Sequence, residues 1–209
     1  MEVQDTKQIA GNRFLRLFER TFSHKGHSGK WLFASRDENP PEHKDKKPDA
    51  VIVVAVKTDE DRPKIVLTSE YRVPILAREI SFPAGLIDAA DYEGAASIQE
   101  AAKKAAIREC WEETNLTFTP MSVSPPNLYA SAGMTNESAI FVMGTATGEP
   151  SNKNSEKSED IQVIILDEQQ IGLLLEGKDR FYDHALSVRA WMMLLPVIQF
   201  SGLRRLIQS

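Results

Sequence analysis

The 209-residue sequence holds a single cysteine, Cys110. One thiol excludes an intrachain disulfide and leaves no cysteine cluster for zinc, so a reducing cytoplasm is the expected compartment. Positive charge is not in excess either. A net charge of -5 argues against a mainly electrostatic grip on nucleic acid, while a small anionic substrate can still be held locally. Long apolar runs are missing: the longest, Ala190 to Ile198, is too short for a bilayer. The opening MEVQDTKQIAGNRF also lacks the apolar core of a leader, so no membrane address is expected. The four histidines, His24, His27, His43 and His184, are scattered without metal spacing and receive no chemistry. What is present is ordinary, 42% hydrophobic and 26% charged residues, which suits one soluble mixed core.

Along the chain, β-branched runs at Val51 to Val56 and Ile65 to Glu70 flank the turn-like KTDEDRPK and read as a hairpin. The charged, proline-bearing stretch Asp37 to Asp49 reads as a surface loop and a subdomain boundary. Gln99 to Glu113, alanine-rich and free of glycine and proline, is the strongest helix. Strands are expected at Ala139 to Ala146 and Ile161 to Leu166, separated by a polar loop from Glu149 to Asp160. Asp167, with Gln170 three residues on, caps a short helix, and a second helix is expected from about Asp183 to Leu195. No internal repeat is visible, and this order gives a mixed α+β or α/β/α sandwich.

Helical spacing places Glu109, Glu112 and Glu113 on one face at i, i+3 and i+4. They crowd one another by a few tenths of a kcal/mol per pair, and the helix C-terminus also disfavours negative charge. Ala102, Ala105 and Ala106 share the face and permit close approach of another backbone, while Arg108 is placed to pair with Glu112. A hard cation would resolve the conflict, and magnesium takes such oxygen ligands. The spacing alone also fits a solvated acidic helix end.

The wider pattern separates these readings. Gly94, Glu100, Arg108, Glu109, Cys110, Glu112, Glu113 and Leu116 resemble the Nudix box, G-x5-E-x7-R-E-U-x-E-E-x-G-U with U apolar. Six of its seven polar or glycine positions match; Asn115 stands where the family has glycine, and asparagine is the next best residue for a left-handed turn. Upstream, TSEYRVPI and EISFPAGLID are similar to the ADP-ribose pyrophosphatase branch of that family. In that branch the box glycine belongs to PAG, here Gly85, so Ala89 to Gln99 reads as an insertion and either glycine can serve.

The resemblance implies the Nudix α/β/α sandwich with a mixed sheet. It implies residues 1–48 as an N-terminal β segment for dimerisation and substrate stacking, and residues 49–209 as the hydrolase domain. It further implies Mg2+, or Mn2+, held by Glu109, Glu113, Glu112 and the Ala84 carbonyl, with Arg108 orienting the carboxylates and Glu100 pairing with Arg108. Arg72 and Glu79 are expected at the substrate phosphates. Trp31 is expected to stack on adenine, with Arg36 further along the same strand and Glu137 in a loop near the active site. The substrate class is a nucleoside diphosphate sugar, best ADP-ribose, cleaved to AMP and ribose 5-phosphate by a homodimer. Two alternatives stand beside it: another nucleotide sugar or a dinucleoside polyphosphate, and a catalytically silent nucleotide-binding module.

Overall fold

The computed structural model of the chain describes residues 1–59, 61–156 and 159–199. Lys157 and Ser158 of the expected loop, and the last ten residues of the expected 49–209 domain, lie outside the described residues. The strands are β1 (Glu2–Gly11), β2 (Arg16–His24), β3 (His27–Ser35), β4 (Ala50–Lys57), β5 (Lys64–Arg72), β6 (Ala77–Ser81), β7 (Ala84–Leu86), β8 (Thr117–Val123), β9 (Leu128–Tyr129), β10 (Ser138–Thr147), β11 (Ile161–Leu166) and β12 (Ala185–Leu186). The helices are α1 (Ala89–Tyr92), α2 (Ile98–Thr114), α3 (Glu168–Leu175) and α4 (Val188–Gln199). They fall into two compact units, Met1–Asp49 with Pro125–Ala139, and Ala50–Ser124 with the described residues from Ile140 onward.

In the first unit β1, β2 and β3 form an antiparallel meander. Lys25 and Gly26, at φ 48° and 80°, make the two-residue turn between β2 and β3, the positive-φ pair that matches strand twist. The segment after Pro125 is stitched onto β3: Ala34 N–H donates to the Met134 carbonyl at 2.8 Å and Asn136 N–H to the Ala34 carbonyl at 3.3 Å. Lys46, almost fully buried, sits between Asp37 at 2.8 Å and Asp49 at 2.6 Å, which satisfies a charge that would otherwise be costly to bury.

The second unit is built on a mixed sheet ordered β12-β6-β5-β4-β10-β8, with β11 on β5 and β7 on β4. The expected hairpin is present, closed by Val56 opposite Ile65. Residues alternate between its faces. Val51, Val53, Ala55, Val66 and Val142 pack with α2 in one core, while Ile52, Val54, Leu67, Ile164 and Leu166 are buried on the other face, where α3 contacts β11 and α4 contacts β6. This is the mixed α/β/α arrangement expected for the unit.

The central helix has local causes at both ends. The Ser97 side chain accepts from Glu100 N–H at 3.2 Å, a standard N-cap. Asn115 closes it in the left-handed region at φ 60°, and its side-chain amide donates to the Glu149 carbonyl at 2.9 Å. Asparagine therefore serves where the motif has glycine. The Asp167–Gln170 capping box opens α3 as expected. The second expected C-terminal helix starts at Val188 rather than Asp183, because Ala185 and Leu186 first pair in parallel with Glu79 and Ile80.

Candidate active site at the end of the central helix

The last turns of α2 carry the three glutamates into different surroundings. Glu109 and Glu113 are buried, at 8% and 5% exposure, whereas the Glu112 side chain is 39% exposed. Strand β7 runs across the buried pair. Ala84 N–H donates to both carboxylate oxygens of Glu113, at 3.3 and 3.4 Å. A Cβ at Gly85 would lie 2.1 Å from the Glu109 carboxyl carbon, so only glycine lets the strand come this close. Gly94, at φ +67° with nothing within 4 Å of a would-be Cβ, makes a turn and no such approach. Of the two candidate box glycines, Gly85 is the one that faces the carboxylates.

Arg108 ties the group together. One guanidinium nitrogen donates to Glu109 at 2.7 Å and Glu112 at 3.0 Å. The other donates to the Leu86 carbonyl at 2.9 Å and to Asp91 at 3.0 Å. Glu100, the expected partner of Arg108, is not part of this cluster. Its carboxylate instead accepts from Ala96 N–H at 2.7 Å, one turn into the helix, where it complements the unpaired amides of the N-terminus. Asp91 takes the place expected of Glu100. The signal was present in the sequence: counted from Gly85 instead of Gly94, the box's acidic position falls on Asp91.

Electrostatics follow from this burial. Desolvation raises the Glu109 pKa to about 7, against the pull of Arg108, with Glu112 and Glu159 adding repulsion. Burial likewise lifts Glu113 well above the usual carboxylate range, assisted by Glu109 and opposed by the Ala84 amide. Burial works against the Arg108 charge, yet bonds from Asp91 and Glu109 hold its pKa above the ordinary value. Of the two buried carboxyls, Glu109 is thus paired with Arg108, while Glu113 is met by the Ala84 amide.

Among the described residues no three His, Cys, Asp or Glu side chains are gathered for a metal, since Glu112 turns to Arg108. The remaining pair still fits magnesium, which characteristically takes one or two carboxylates and completes its shell with water and substrate phosphate. At Ala84 the backbone amide is engaged with the Glu113 carboxylate.

The other expected residues form two further groups. In the second unit Arg72 bridges Glu70 at 2.8 Å and Glu79 at 3.3 Å, and burial with neighbouring acids raises the Glu70 pKa despite Arg72. In the first unit Trp31 is half exposed, its indole N–H donates to the Gly133 carbonyl at 3.0 Å, and it lines a cleft with Phe22, Phe33, Tyr129 and Asn136. Asn136 Oδ1 is buried there without a donor among the described residues. Arg36 lies just beyond the end of β3, not on it, and pairs with Glu137 at 2.9 Å. Sequence reasoning missed Asp91, Glu70, Glu159 and Asn136; for the last three no local pattern marks them.

With fold and site in place, comparison with known proteins gives a consistent result. The model of the NUDIX domain matches residues 46–185, and the chain belongs to the Nudix family. A nudix hydrolase of Caenorhabditis elegans is 29% identical over 154 residues, 71% of this chain and 64% of that protein. An uncharacterized Nudix hydrolase of Schizosaccharomyces pombe is 30% identical over 113 residues, 54% of this chain and 50% of that protein. The matches thus span between half and two thirds of these relatives. The crystal structure of an ADP compounds hydrolase shares the fold, with a TM-score of 0.61 and 18% identity over 95% of this chain and 92% of the other.

Proposed function

We propose that the protein is a metal-dependent pyrophosphohydrolase of nucleoside diphosphate sugars, acting on ADP-ribose to give AMP and ribose 5-phosphate. The observation that carries this reading is the buried Glu109–Glu113 pair under β7, in which Arg108 reaches Glu109 and only the Ala84 amide reaches Glu113. Mg2+, or Mn2+, held by Glu109 and Glu113 with Glu112 and the Ala84 carbonyl as outer members, would offset the diphosphate charge and make a water molecule more acidic.

The chain's own groups do the rest. Arg108 fixes the direction of the Glu109 carboxylate, and the Ala84 amide fixes that of Glu113. Glu159, which is exposed, adds repulsion to both carboxyls. Water adds to phosphorus as the bridging oxygen leaves with the other phosphate, so no protein nucleophile is required.

Arg72, braced by Glu70 and Glu79 with a partly exposed guanidinium, is assigned to a substrate phosphate. In the other unit Trp31 offers an aromatic face to a base, and Asn136 Oδ1 offers an acceptor to an exocyclic amine such as that of adenine. Arg36 and Glu137, paired with each other at 2.9 Å, are further residues assigned to the substrate. A homodimer through the β1–β3 sheet is supported by Val3, Ile9, Phe14, Leu15 and Leu32, all strongly exposed. Among the described residues no helix is long and apolar enough to cross a membrane; the buried, unpaired Cys110 supports a cytoplasmic setting.

The test is release of the nucleoside monophosphate from ADP-ribose, another nucleotide sugar and a diadenosine polyphosphate, each with magnesium or with chelator. The expected result is magnesium-dependent turnover greatest for ADP-ribose. A preference for either other substrate replaces the ADP-ribose assignment, and binding without turnover makes the protein a nucleotide sensor.

A further inference from the structure

Sixteen residues separate Asp91 from Arg108, where the box motif allows seven between its acid and its arginine. The extra chain is largely exposed but anchored. It docks on α2 at two points one helical turn apart: Lys104 Nζ donates to the Glu93 carbonyl at 2.7 Å, and Arg108 donates to Asp91 at 3.0 Å. The Asp91 side chain is only 8% exposed. One of its oxygens accepts from both Arg108 and the Asp88 backbone N–H, the latter at 2.9 Å, so it joins the turn after β7 to the helix that carries the glutamates.

We propose that Asp91 is the positioning residue for Arg108, and that the inserted segment is thereby a working part of the carboxylate site, while Glu100, the acid that matches the motif by spacing, has no part in it. The reason is the geometry of the guanidinium. Its planar fork cannot turn one nitrogen without turning the other. Asp91 and the Leu86 carbonyl hold one nitrogen, and this aims the second at Glu109 and Glu112. Without Asp91 the first nitrogen keeps only the Leu86 carbonyl and a longer approach to Asp88 at 3.7 Å, so the fork is held less firmly and Glu109 loses part of its fixed direction toward a cation. Arg108 is the outer partner of the ligand Glu109, and removing such a partner commonly weakens binding or activity by about 10- to 100-fold, the range that loosening Arg108 through Asp91 can approach.

The inference rests on the reading of Glu109 and Glu113 as ligands of a divalent ion, and the experiment separates the two. Mn2+ alone is titrated into wild type, Asp91→Asn, Asp91→Glu, Glu100→Gln, Arg108→Lys and the Asp91→Asn/Arg108→Lys double variant, followed by the electron-spin signal of free Mn2+, with circular dichroism confirming the fold of each. Asp91→Asn is expected to bind Mn2+ about 10- to 100-fold more weakly. Asp91→Glu, which supplies the acid the motif has at this step, should restore much of the affinity, and Glu100→Gln should bind as wild type does. Asp91→Asn should add little in the Arg108→Lys background, because both changes break one contact. In turnover the loss should fall on kcat more than on KM. The assignment is overturned if Glu100→Gln weakens Mn2+ and Asp91→Asn does not, or if Asp91→Asn costs as much beside Arg108→Lys as alone. Failure of wild type to bind Mn2+ overturns the metal reading beneath it instead.

Discussion

Replacing Gly85 with alanine tests the central claim about the site, because it adds one methyl group at the point of closest approach. The new Cβ would stand 2.1 Å from the Glu109 carboxyl carbon and from one of its oxygens, and 2.3 Å from the other. Real Cβ contacts essentially never fall below 3.0 Å, so Glu109 or β7 must retreat by roughly 1 Å, a misplacement that costs on the order of 100-fold in rate. The backbone at Gly85 lies outside the left-handed region, so alanine brings no torsional penalty, and the fold loses about 1–3 kcal/mol from crowding. Gly94→Ala is the control with the opposite signature. It strains a backbone at φ +67° by about 1–2 kcal/mol but meets nothing within 4 Å, so activity should stay while the melting temperature falls. Initial rates of AMP release, Mn2+ titration and thermal melts of the two variants make the comparison. A Gly85→Ala protein that binds metal and turns over like wild type would refute the reasoning, as would a Gly94→Ala protein that is folded and inactive.

Three shorter predictions accompany it. Glu113→Gln should lose most turnover while remaining folded, and in chelator at pH 8 it should melt above wild type, because it removes a buried charge; an active Glu113→Gln protein contradicts the site. Glu109 titrates near 7 when folded and lower when unfolded, so between these values the native state holds more protons, and metal-free stability should fall as pH rises from about 4.5 to 7. Urea midpoints in chelator check this, a rise over that window counts against it, and added magnesium should flatten the slope. Asn115→Ala should cost about 1 kcal/mol by placing a residue without a local hydrogen bond in the left-handed cap, whereas Asn115→Gly should be nearly neutral; denaturant melts distinguish them.

Much of this was legible because it is local. The helix expected at Gln99 to Glu113 follows from alanine content, the absence of glycine and proline, and an asparagine suited to its closing turn, while the Ser97 cap was not read from the sequence. The β11 strand and the Asp167 cap were equally plain. Pairing of Arg108 with Glu112 follows from i,i+4 spacing alone. The partner of Arg108 from outside the helix was misassigned because Gly94 and Glu100 satisfied the motif's spacing, and only the approach of β7 to Glu109 shows which glycine is under steric demand. The late start of α4 has a similar cause: Ala185 and Leu186 suit a helix locally, but an open edge of β6 claims them. Glu159 and Glu70 owe their positions to loops and strand ends far away in sequence, and a carboxylate carries no sign of its neighbours until the chain has folded.

Ala101, Ala102, Ala105 and Ala106 are fully buried along the face of α2. The gap between helix and sheet is consequently set by methyl groups, the shortest spacer a chiral residue offers. Any bulkier graft on that stripe would act as a wedge, and its effect would be largest at the far tip, where the glutamates sit. Precision at the reacting end of this molecule is thus lodged in residues that carry no chemistry, and engineering of the catalytic groups must leave that thin seam untouched.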